Sequence, residues 1–285
     1  LLSNSGSEGV RVVHLPLKAG GVVDAAALPG LIDAETALVS VQWANNETGA
    51  VQPVHAIGAA CRAAGVPFHC DATQWVGKMP CDLSAKDAPA IDLLTASPHK
   101  FHGPKGVGLL WTTPSVRLRP VTPGSQELGR RGGTENLPGV LGAGIAAEQA
   151  LAWLVDPEPR RRLAMRRDRL ESLILGACPG SHVNGPADPA GRLWNTTNIA
   201  FPRLEAEALL MGFSERGLCA SAGAACSSGS LDPSPVLIAM GVPPESAHGS
   251  VRFSLSRETT EDDIERAAAV VRAVHERLSR TLPTG

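Results

Sequence analysis

Two short apolar runs, "TALVSVQW" (Thr36 to Trp43) and "VPFHCDA" (Val66 to Ala72), flank a helical pattern, "HAIGAACRAAG", that ends on Gly65. Strand, helix and strand at this spacing form a βαβ unit, which commits the chain to parallel pairing with helices packed on the sheet. A third run, "IDLLTAS" (Ile91 to Ser97), and a fourth, "GVGLLWTT" (Gly106 to Thr113), extend the series. They read as continuously apolar, the pattern of a sheet buried on both faces. From Glu135 to about Leu175 the periodicity is helical, interrupted by the prolines of "VDPEPR". Beyond it strands and helices mix: "LWNTTNIAFP" and "GSVRFSLS" read as strands and "EAEALLMGFSERG" as a helix. A last helix opens at "TTEDD", a capping-box pattern, with Ile264, Ala268, Val271 and Leu278 as its apolar stripe. The expected architecture is α/β: a large domain with a mostly parallel sheet over residues 1–154, and a smaller α+β domain over 155–285.

Composition excludes more than it assigns. A net charge of −2 offers no electrostatic case for nucleic acid or an anionic membrane. The basic run "PRRRLAMRRDR" (Pro159 to Arg169) has apolar residues at helical spacing and reads as a solvated helix face. No apolar segment is expected to reach membrane-spanning length, and no secretory signal opens the chain. The cysteines, Cys61, Cys70, Cys81, Cys178, Cys219 and Cys226, form no C-x-x-C pair, so reduced thiols in the cytoplasm fit better than a disulfide scaffold or a metal cluster.

In open parallel sheets ligands bind beyond the carboxyl ends of the strands. Three polar clusters stand there: Asn45-Asn46-Glu47, Asp71-Ala72-Thr73-Gln74 and Ser97-Pro98-His99-Lys100. Each alone is an ordinary turn. Together they offer an amine, a carboxylate and several hydrogen-bond donors, which are the demands of pyridoxal phosphate: an amine for its aldehyde, a carboxylate for its ring nitrogen and donors for its phosphate.

The blocks "SVQWANNETGAVQPV", "FHCDATQWVGKMPCDL", "SPHKFHGPKGVGLLW", "GSQELGRRGGTENLPGVLGAG", "SAGAACSSGS" and "HGSVRFSLSRETTEDDI" resemble, in order, those of cysteine desulfurases of the NifS/IscS type, fold-type-I pyridoxal-phosphate enzymes of the class V aminotransferase family. The resemblance implies that Lys100 is the Schiff-base lysine and Lys105 a loop lysine. It implies that Asp71 pairs with the pyridine nitrogen, Gln74 meets the ring hydroxyl, and Asn46 lies beside ring and substrate. Ser97 and His99 would hold the phosphate, and Thr134 would reach the phosphate of a neighbouring subunit in a homodimer. Cys226 matches the nucleophile that becomes a persulfide. Arg252 would clamp the carboxylate of L-cysteine, with Arg257 as a nearby competitor. The implied reaction converts L-cysteine to L-alanine and passes sulfur to an acceptor or iron–sulfur scaffold protein. Related readings are a selenocysteine lyase, another fold-type-I lyase or aminotransferase, or a silent scaffold.

The resemblance also has departures. Pro98 stands where glycine is common before the His-Lys pair, and "SAKDAPA" (Ser84 to Ala90) is slightly long. An upstream segment with a Gly-Thr phosphate turn and a ring-stacking histidine has no counterpart here. The chain is then expected to be a fragment, or a natural short form or half of a split enzyme. Exposed edges and apolar faces are expected, with poor cofactor binding or poor solubility of this piece alone.

Overall fold

The computed structural model describes residues 9–222 and 232–280. A small antiparallel hairpin, β1 (Leu17–Lys18) with β2 (Val22–Val23), leads into the first sheet. That sheet has the order β3 (Val39–Gln42), β4 (Phe68–Asp71), β5 (Leu93–Ala96) and β6 (Leu109–Thr112). The first three strands are parallel and β6 runs antiparallel to β5. Helix α1 (Val54–Ala64) makes the crossover between β3 and β4. It ends where the sequence predicts, on Gly65 in the left-handed conformation at φ 69°.

The sheet is less uniformly apolar than expected. Val39, Val41, Phe68, Cys70, Leu94 and Ala96 point to one face and pack with Ile57 and Cys61 of α1. The alternate residues Ser40, His69 and Thr95 form a polar row across the other face. Ser40 Oγ lies 2.8 Å from His69 Nδ1, and His69 Nε2 lies 3.1 Å from Thr95 Oγ1. The apolar runs conceal this alternation because their polar members are small or aromatic.

A short turn α2 (Gln126–Gly129) precedes α3 (Leu137–Leu154) and α4 (Glu158–Ala177), which meet at the two predicted prolines. Helix α3 corrects one expectation: it is long and apolar enough, at mean hydropathy 1.2, to cross a membrane by length and composition. Three glycines and Glu148 stand among its apolar residues in the sequence. It is mostly unburied, exposing Leu137, Val140, Leu141, Ile145 and Leu151. Leu109, Leu110 and Trp111 on the edge strand β6 are exposed as well.

The second sheet is antiparallel, β7 (His182–Val183), β8 (Thr196–Ala200) and β9 (Ser250–Ser254). Helices α4, α5 (Ala206–Ser214) and α8 (Glu261–Ser279) pack on it around Leu170, Ile174, Phe213, Phe253, Val271 and Val274. Two short helices, α6 (Pro235–Ala239) and α7 (Pro244–His248), precede β9. Thr260 and Asp263 cap α8 reciprocally, as the sequence predicts. The arginine run does form a helix face with exposed ion pairs, Arg166 to Glu261 and Arg169 to Glu265. Arg167 departs from that reading. It is fully buried and donates to the carbonyls of Leu193 at 2.6 Å and Pro189 at 3.2 Å.

The two sheets meet through a set of polar contacts. Leu193 N donates to Gly49 O at 2.9 Å, and Ser234 Oγ to Glu47 Oε2 at 2.6 Å. Trp194 Nε1 donates to Lys78 O at 3.0 Å, and Arg257 to Gly77 O at 2.8 Å. Gly77 has φ 76°, and a Cβ there would lie 2.3 Å from Phe101 Cβ, so the turn after β4 rests directly on the residue that follows Lys100. Behind this junction Arg192 pairs bidentately with Glu171 at 2.6 and 3.1 Å, both side chains nearly buried.

Two stability measurements check this packing. Glu171→Ala leaves the Arg192 guanidinium buried without its carboxylate and should lower unfolding free energy by about 3–5 kcal/mol in urea titration. Gly77→Ala combines an unfavourable φ with a clash and should lose about 2–4 kcal/mol. A change below about 1 kcal/mol in either would mean the junction relaxes freely.

Candidate active site

The parallel register sets the site. Gln42 pairs with Asp71 and Asp71 with Thr95, so β3, β4 and β5 end level and their following loops share one edge. In the first loop Asn45 is buried, and its Oδ1 accepts from Glu47 N, Thr48 N and Thr48 Oγ1. The turn therefore consumes Asn45 and leaves Asn46 exposed, with its carbonyl accepting from Arg252 at 3.0 Å. In the second loop Asp71 Oδ1 accepts from Thr73 N at 2.9 Å, while no hydrogen bond ties Oδ2 among the described residues. Trp75 stacks on Trp43, ring centroids 4.7 Å apart, and fixes this loop to the first.

The third loop is a single tight turn, Pro98–Lys100. Pro98 is buried at its first position, where a fixed φ and a missing N–H are tolerated, and its carbonyl accepts from Phe101 and Gly103. The departure from glycine thus leaves the turn regular. Phe101 turns into the core against Ala146 and Ala150, while His99 and Lys100 stay exposed and Ser97 is half-buried. Lys105 is also exposed.

Arg252 lies on β9 between the buried Val251 and Phe253 and faces the opposite way, as its alternation predicts. Burial pushes its acidity upward, opposed by the nearby Glu47 carboxylate. Its Nε is buried without a hydrogen-bond partner among the described residues. Arg257, the competitor, is committed elsewhere: it holds Gly77 O and lies 4.5 Å over the Trp153 ring. Arg252 thus keeps a donor nitrogen that an anionic ligand can take, whereas Arg257 is spent on Gly77 O and the Trp153 ring.

Two residues to which the sequence reading gives no role belong to this region. Glu47 is buried, accepts from Ser234 Oγ and has its pKa raised by that burial. Lys78 is buried and bonded to Gln74 Oε1; burial, with Lys100 and Arg252 nearby, pushes its pKa down to about 8. Only the lysine's position four residues after Gln74, inside a turn, hinted at it.

The structure thus brings Asn46, Asp71, Gln74, Ser97, His99, Lys100 and Arg252 to one edge where the two sheets meet. Thr134 is exposed just ahead of α3, with no hydrogen bond to its side chain among the described residues. Cys226 lies outside the described residues. The described residues flanking its segment are fixed beside the site. Ser221 is bridged to Arg252 by bonds of 2.7 and 3.1 Å, and Ser234 is bonded to Glu47.

The donor set fits pyridoxal phosphate: an exposed amine at Lys100, an open carboxylate oxygen at Asp71 and an unpaired guanidinium nitrogen at Arg252. The family profile described as aminotransferase class-V matches residues 4–267. Cysteine desulfurase 2 of Trichormus variabilis is 47% identical over 277 residues, covering 97% of this chain and 68% of that protein. A solved NifS-like protein superposes with a TM-score of 0.82 at 33% identity, over 95% of this chain and 69% of its own. SspA, solved in complex with cysteine, gives a TM-score of 0.69 at 31% identity, over 88% and 68%. The chain therefore spans about two thirds of these relatives and belongs to the class-V aminotransferase family, among its pyridoxal-phosphate-dependent cysteine desulfurases.

Proposed function

We propose that Lys100 and Cys226 carry the desulfurase chemistry, with Arg252 selecting the substrate carboxylate. The observation that carries this reading is the unpartnered buried Nε of Arg252 beside Asn46, on the edge shared by Asp71 and Lys100. A bidentate guanidinium there would hold the L-cysteine carboxylate and leave its Cα–H and thiol directed at the Lys100 side. Bound pyridoxal phosphate supplies an electron sink for the pair left when the Cα proton is removed. Asp71 would keep the ring nitrogen protonated, Gln74 would donate to the ring hydroxyl, and Ser97 and His99 would hold the phosphate. The Lys100 amine would take the Cα proton and later return it. The Cys226 thiolate would attack the substrate sulfur. The carbon–sulfur bond then breaks with its electron pair going to carbon, sulfur stays on Cys226 as a persulfide, and protonated carbon leaves in alanine.

An acceptor or iron–sulfur scaffold protein would then take the sulfur, in the cytoplasm. A homodimer is supported by the exposed apolar residues of α3 and by the exposed Thr134 just before that helix, whose side chain makes no hydrogen bond among the described residues.

Alanine release and persulfide labelling test the assignments. Lys100→Ala should lose alanine formation by at least about a thousandfold. Cys226→Ser should abolish the protein persulfide, and Arg252→Ala should raise KM for cysteine by about tenfold or more. Full sulfur release by Cys226→Ser would favour a selenocysteine lyase or another lyase of this fold and remove Cys226 from the mechanism.

A further inference from the structure

Lys78 is a buried cationic side chain at this edge to which the mechanism above gives no task. It closes the turn that begins at Gln74, with its N–H donating to Trp75 O and its carbonyl accepting from Trp194. It is 9% exposed, and no carboxylate lies within ion-pair distance of it among the described residues. A buried ammonium without a carboxylate is expensive, and a methionine of the same length would pack there without that penalty. The side chain's only hydrogen bond among the described residues goes to Gln74 Oε1.

That bond has a chemical consequence. An ammonium can only donate, so it accepts nothing from an amide nitrogen and selects the amide oxygen. The Gln74 NH2 group must then face the other way. We propose that Lys78 is a positioning residue that locks the Gln74 amide so that its NH2 is presented to the hydroxyl of the cofactor ring. The inference rests on the assignment of Gln74 as a ring contact. With a pKa of about 8 the amine keeps its proton at neutral pH, when the locking is strictest. A neutral amine could accept as well as donate and would leave the amide free to flip.

The test is a cycle of Lys78→Met, Gln74→Ala and the double variant, reading the pyridoxal-phosphate dissociation constant by tryptophan fluorescence. Lys78→Met should weaken binding by about tenfold in the Gln74 protein and by less than about twofold in the Gln74→Ala protein. Lys78→Arg, which keeps a cationic donor, should recover most of the loss. Thermal melting of the apoprotein should not fall with Lys78→Met, as it would if the lysine served only packing. Equal losses in both backgrounds would mean that Lys78 meets the cofactor directly, and no loss would mean it orients nothing; either overturns the proposal. The side-chain amide spectrum of the 15N-glutamine-labelled apoprotein gives a readout without cofactor. An ordered Gln74 NH2 pair supports the lock, and a rapidly averaged one refutes it. That spectrum decides if Lys78→Met fails to fold. It also decides if the wild-type chain takes up no pyridoxal phosphate, in which case the cofactor role of Gln74 fails separately.

Discussion

The site depends on the level register of three parallel strands. Because Gln42, Asp71 and Thr95 stand side by side, the loops that follow them begin at the same height and compete for the same space. That space is then closed from the second sheet's side by Leu193 N, Trp194 Nε1 and Arg257, which donate to backbone carbonyls of those loops, and by Ser234, which donates to the Glu47 carboxylate. A clamp of this kind fixes backbone position while taking only one nitrogen of Arg252 and leaving Asp71 Oδ2 and the Lys100 amine unengaged among the described residues. Lys100, Asp71 and Arg252 remain available for ligands, which is the arrangement preorganised sites require.

Electrostatics point the same way. Burial, with Lys100 and Arg252 close by, lowers the pKa of Lys78, and the Glu47 carboxylate lies near Arg252. Glu47 is already occupied by Ser234 and sits behind Arg252. The edge is therefore cationic on the side where a phosphate and a carboxylate would bind, and it keeps one acidic group where a ring nitrogen would need it. Burying such groups works against stability, and two well-packed apolar cores offset it.

Much of this was legible in the sequence. The βαβ unit, the α3–α4 break at two prolines, the α8 cap and the three polar clusters all carry local signals: period, proline, glycine and cap chemistry. The alternation of Arg252 with Val251 and Phe253 gave its facing correctly. What escaped is set by tertiary contact. Arg167 is one of many arginines in its run, and it is a core residue because the carbonyls of Leu193 and Pro189, with the Asp168 carboxylate, take its donors. Asn45 and Asn46 are adjacent and chemically identical, and the turn geometry alone divides them into a structural and an exposed residue. Lys78 lies in a turn, where a charged residue is expected to be solvated, and it is instead buried where Trp194, distant in sequence, donates to its carbonyl. The apolar length of α3 was hidden by its glycines, and its exposure could not be inferred from period.

The central claim is that one lysine amine, Lys100, meets the cofactor aldehyde opposite Asp71. Borohydride reduction of the cofactor-loaded protein, followed by peptide mapping, tests it most directly. The account predicts a pyridoxyl group on Lys100 in the peptide containing "SPHK". A label confined to Lys105 or Lys78 would contradict it.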